Sequence, residues 1–145
     1  MNTFEFSIKS ESISFLWQGG DRAIKIPAGY AHAAKHLFKS GMLTAYDLEM
    51  LIYRIEEMIE SDKGLFPVNG GALCQDELMK EVSSIYLDGS NVILPSEIEA
   101  AFNTLADRLS YSEIVISPEK IPCLTYFVFI REMTHHFHID KITIL

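Results

Sequence analysis

The stretch MTHHFHID, residues 133–140, puts three of the chain's five histidines within four positions. On an extended segment side chains alternate. His136, His138 and Asp140 would then leave one face, and Phe137 and Ile139 the other. Two imidazoles pointing the same way can hold a transition metal, with Asp140 as a third ligand. A catalytic zinc takes three protein ligands and a water, and a structural zinc takes four. The local pattern alone does not complete either set. Histidines on a half-exposed strand are commonly surface or hydrogen-bonded residues, so the segment reads as a solvent-facing sheet edge, with no cofactor expected.

A second pair, His32 and His36 in HAAKH, would share one helix face. The zinc-protease pattern needs a glutamate directly after the first histidine, as general base. Ala33 stands there, and Lys35 and Lys39 disfavour a divalent cation. Cys74 or Cys123 could act as a nucleophile beside a histidine, but neither carries a local signature. They read as two reduced core thiols. The chain has no GxSxG elbow, no phosphate-binding P-loop and no GxGxxG fingerprint. DGSN at 88–91 lacks the spaced carboxylates of a calcium loop. No catalytic residue is assigned.

Glu49, Tyr53, Glu56 and Glu60 form a different constellation. At helical spacing they make one stripe about a quarter turn from an apolar face. Glu56 and Glu60 are a like-charge i,i+4 pair, which Arg54 is expected to offset through Glu57. A tyrosine framed by carboxylates suits an interface with a basic partner: an aromatic anchor with steering charge. The competing reading is an ordinary solvated helix face.

These groups must be positioned by the surrounding elements. Residues 3–26 alternate as an antiparallel meander, with Phe4, Phe6 and Ile8 sharing one face of a strand and Ile13, Phe15 and Trp17 sharing one face of the next. A helix is expected from about Ala28 to Gly41. A second, over 45–61, opens on a Thr44–Asp47 capping box and ends at Gly64. Residues 64–73 read as the longest loop, followed by a short helix around CQDELMKEV and a hairpin at Asp88–Gly89. Ser96 and Glu99 propose another capping box, before Ile98, Phe102, Leu105 and Leu109. IPCLTYFVFIREM is aromatic and β-branched and reads as a buried strand, with a buried helix after Pro122 as the alternative. The expected fold is α+β: one domain over residues 1–145, with an antiparallel sheet packed against three to four helices.

The net charge of −8 disfavours nucleic acid and anionic lipid as direct partners. Residues 44–113 concentrate the acidity, with fourteen acids against four bases and a net of −10. No signal-peptide pattern is visible and no apolar run reaches the length of a membrane span, so a cytoplasmic protein is expected. A small acidic domain without a catalytic signature is similar in size and charge to bacterial immunity proteins. The leading expectation is therefore an inhibitor of a basic protein, such as a toxin nuclease, docked through Glu49, Tyr53, Glu56 and Glu60. The alternatives are a metal-binding domain or enzyme using the C-terminal histidines, or an oligomer subunit paired through residues 124–130.

Overall fold

The computed structural model describes residues 3–62 and 68–145. The N-terminal alternation forms the expected meander of β1 (Thr3–Ile8), β2 (Ile13–Trp17) and β3 (Ala23–Ile26). The register pairs Phe4 with Trp17, Phe6 with Phe15 and Ile8 with Ile13, so the apolar residues of β1 and β2 share one buried face. Phe4, Phe15 and Trp17 pack as tilted rings with centroids 5.6 to 6.3 Å apart. The opposite face, with Glu5, Ser14 and Leu16, is only partly covered.

β5 (Asn69–Cys74) and β8 (His138–Ile144) extend the sheet, and β6 (Val92–Ile93) closes its other edge. The six-stranded order is β3-β2-β1-β5-β8-β6. The α+β class is as expected, but the sheet is mixed: β5 lies parallel to both β1 and β8. Parallel neighbours need long crossovers. The first crossover contains α1 (Tyr30–Ala34), the two-residue β4 (Met42–Leu43) and α2 (Ala45–Glu60). The second contains α3 (Glu77–Tyr86), α4 (Pro95–Tyr111), β7 (Ile114–Val115) and α5 (Ile121–His136). β4 and β7 pair as a small antiparallel ribbon.

α2 forms where the sequence places it. Thr44 Oγ1 accepts from the Asp47 amide at 3.1 Å, and Asp47 Oδ2 accepts from the Thr44 amide at 3.0 Å. The preceding helix is shorter than its spacing predicts. It stops at Ala34, and His36, Phe38 and Ser40 then take positive φ. Arg54 does not serve Glu57. Its Nη1 donates to the Ala33 and Lys35 carbonyls at 3.0 and 2.6 Å and ties this irregular stretch to α2.

Three other expectations are corrected. The Asp88–Gly89 hairpin is replaced by a turn after α3, with both residues at positive φ. α4 begins at Pro95, with Glu97 rather than Glu99 reaching back, to the Leu94 amide at 2.9 Å. Asn69–Leu73 of the expected loop belong to β5, Val68 before them is buried, and the rest, including Gly64, falls within residues 63–67, outside the described residues.

The largest correction is IPCLTYFVFIREM, which is helical. α5 packs against α1, α2, α3 and α4. Its residues from Cys123 to Ile130 are all buried. A helix enclosed on every side needs apolar residues all round, and this erases the 3.6-residue period. Pro122 occupies the first turn, where its missing N–H costs nothing.

Candidate metal centre

α5 ends at His136, and Phe137 carries the chain into β8 with an extended backbone. His136 and His138 therefore do not form an alternating pair. His138 and Asp140 are exposed on β8, where they border a hollow with Thr3, Asn69 and Lys141. His136 turns instead towards α2. His32 and His36 do not share a helix face either, because α1 ends between them.

At His136 two groups unrelated in the sequence meet. Its Nε2 lies 3.1 Å from Glu56 Oε2 and 3.6 Å from Glu132 Oε1, and its Nδ1 lies 3.9 Å from Glu60 Oε1. Of the acidic stripe, half-buried Glu56 thus meets an imidazole, while Glu60 approaches the same ring from an exposed position. Glu49 and Tyr53, the other half, stay exposed. Glu132 was not singled out by the sequence because it lies in the segment read as a strand. It is 2% exposed. A buried carboxylate requires compensation, and Arg131 Nη1 supplies it at 2.7 Å to Glu132 Oε2. Arg131 also donates to Glu99 from Nε and Nη2, at 3.2 and 3.3 Å, and covers the Phe102 ring at 4.0 Å. His135 Nε2 stands 2.6 Å from Glu99, whose carboxyl is held below its usual range chiefly by the Arg131 hydrogen bonds.

One ligand atom each from Glu56, Glu132 and His136 falls within 4.8 Å of the others. Donors about 2.0–2.1 Å from a tetrahedral ion stand about 3.3 Å apart. The 3.1 and 3.6 Å separations at His136 Nε2 bracket that value. Two carboxylates and one imidazole suit zinc, manganese or iron and leave a position for water or substrate.

The two cysteines lie in the core. Both are free and buried. Burial pushes the Cys74 thiol up to about 12 and the Cys123 thiol up to about 11. Cys74 Sγ contacts the Tyr126 hydroxyl at 3.2 Å, within a polar knot at the carboxyl ends of β1 and β5. Asp76 is the centre of that knot, accepting from Ser7 Oγ at 2.7 Å, the Ile8 amide at 2.8 Å and Tyr126 Oη at 2.6 Å.

No family model matches the sequence, and no curated protein matches it. Solved structures do match the fold. The Aquifex aeolicus PPX-GPPA enzyme superimposes with a TM-score of 0.70 at 13% identity, covering 99% of this chain and 53% of that one. The fold resembles about half of the Ppx/GppA phosphatase structure. An exopolyphosphatase from Cytophaga hutchinsonii gives a TM-score of 0.66 at 9% identity, over 99% of this chain and 52% of that one. An exopolyphosphatase-like protein gives 0.67 at 10% identity, over 99% and 54%. The chain therefore spans about half the length of these Ppx/GppA structures.

The expectation of an immunity-type toxin inhibitor is overturned by this likeness in fold, which runs over nearly the whole chain and is to structures of Ppx/GppA type. Size and net charge were its only supports. Among the described residues, no helix is long and apolar enough to cross a membrane.

Proposed function

We propose that the chain is a metal-assisted, enzyme-type domain of the Ppx/GppA fold, and that it takes part in hydrolysis of a phosphoanhydride or phosphate ester. The observation that carries the reading is the convergence of Glu56, Glu132 and His136 on one point between α2 and α5. The fold likeness to exopolyphosphatases supports the substrate class. A divalent ion at such a site polarises a phosphoryl oxygen and lowers the pKa of bound water. The chain's own part is to hold the ligands in place. Arg131 fixes Glu132, and α2 carries Glu56 on a capped helix. Glu60, at 3.9 Å from Nδ1, is placed to orient the second ring nitrogen, as outer carboxylates do for metal-bound histidines.

Titration calorimetry with Zn²⁺ and Mn²⁺ tests the site, and phosphate release from inorganic polyphosphate tests the chemistry. The expected result is one ion per chain, with affinity reduced about 10–100-fold or more in His136→Ala and Glu56→Gln, and metal-dependent phosphate release lost in both. Equal metal affinity in wild type and both variants would sink the metal site. Binding without phosphate release would sink the hydrolytic role.

A further inference from the structure

A groove opens at the other end of α5, between α3, α4 and the β4–β7 ribbon. Its volume is about 400 Å³, within the range of roughly 300–1,000 Å³ typical of small-molecule sites. The floor is apolar: Leu43, Leu105, Cys123 and Leu124 line it and all are buried. One wall is rigid, because Tyr86 stacks face to face on Phe127 with centroids 4.2 Å apart and planes within 4°. The lip is apolar and exposed, with Ile85 at 47% and Val115 at 79%. Two cations border the groove, Arg108 and Lys120. They are not equivalent. Lys120 is paired with Glu81 at 3.3 Å. Arg108 is exposed on α4 and has no ion-pair partner among the described residues. Glu113 borders the adjoining hollow, which Arg108 also lines, without pairing with it.

A guanidinium without an ion pair at the edge of an apolar groove, in a chain of net charge −8, suits an anion with an apolar body. We propose that this groove binds an amphipathic carboxylate, a medium-chain acyl anion, with its hydrocarbon body along Leu43, Leu105 and Leu124 and its head group on Arg108. The planar fork of arginine matches a carboxylate through two parallel hydrogen bonds, which a lysine cannot do. The apolar lip and floor supply area-dependent affinity for the chain, and the cation favours the anion over its neutral analogue. This site is separate from the His136 centre, and neither reading depends on the other.

The probe is decanoate below its micellar concentration, with decanol as the uncharged control, measured by calorimetry on the intact chain. Wild type should bind decanoate saturably at one site. Arg108→Gln should weaken it by about tenfold or more, as expected for loss of a charge-assisted pair. Ile85→Glu, a second exposed position, should weaken it through repulsion at the lip. Decanol should bind wild type no more tightly than decanoate binds Arg108→Gln. Circular dichroism checks that both variants keep the fold. Equal binding of decanol and decanoate, no effect of Arg108→Gln, or no saturable decanoate binding would each overturn the proposal.

Discussion

The Tyr126 hydroxyl donates to Asp76 Oδ2 at 2.6 Å, joining the middle of α5 to the carboxyl end of β5. Asp76 stands at the N-cap of α3, yet its side chain makes no capping bond to that helix. It turns to β1 instead, where Ser7 and the Ile8 amide share it with Tyr126. Three elements distant in sequence are thereby locked to one carboxylate. Tyr126→Phe keeps the ring and removes the donor. It should lower stability by about 1.5–3 kcal/mol, the usual worth of a hydrogen bond to a charged group. Urea denaturation checks this, through a lower midpoint at unchanged slope.

Arg131 and Glu132 should respond asymmetrically to substitution. Arg131→Ala strands a carboxylate that is 2% exposed, and loss of one partner of a buried pair costs about 3–5 kcal/mol. Glu132→Gln keeps the shape without the charge and should cost clearly less. Chemical denaturation of the two single variants decides the order. Equal losses would mean that Glu132 ionisation is not what Arg131 supports.

The thiols predict a decline in stability on the alkaline side. Each has an ordinary pKa of 9.0, raised in the folded chain to about 12 for Cys74 and about 11 for Cys123, with burial as the main cause. Below pH 9 both states hold the proton and the stability is fully present. Above it the unfolded chain releases protons that the folded chain keeps, so stability falls as pH rises towards the folded values. Urea midpoints measured from about pH 8 to pH 10.5 should drop, and Cys123→Ala should flatten part of that slope. Thiol reagents should find both cysteines slow to react until the chain unfolds.

Glu99 predicts the opposite, acid-side dependence. Its carboxyl is depressed from 4.5, first by Arg131 and in smaller part by His135, against an opposing desolvation. A depressed acid contributes stability that is present above its unfolded value and lost as pH falls through the folded one. Denaturation midpoints between about pH 3 and pH 6 should therefore fall less steeply for Glu99→Gln than for wild type.

The parts legible in the sequence are those with one wet side. Phe4, Phe6 and Ile8 alternate because the other face of β1 is less covered, and α2 shows its period because Glu49, Tyr53 and Glu57 face solvent. α5 has no such contrast, and its aromatic and β-branched residues, which favour strands locally, are held in a helix by packing. The candidate centre was hidden for a related reason. Glu56 and His136 are 80 residues apart, and Glu132 shared the misread segment. The acidic stripe and the histidines stand out separately in the sequence, and the helical form of α5 brings Glu56 and His136 together.

The placement of α5 and β8 also bears on how the chain reaches its folded state. Residues 121–144 supply the helix that touches all four others and a strand lying between β5 and β6. The first 120 residues thus make two groups of elements whose common centre is still missing. The meander can zip locally, but the helical layer has nothing to close around until α5 arrives. Long-range closure of this kind slows folding, and until it is complete the apolar faces of β1, β2 and α2 stay open to aggregation and to chaperones.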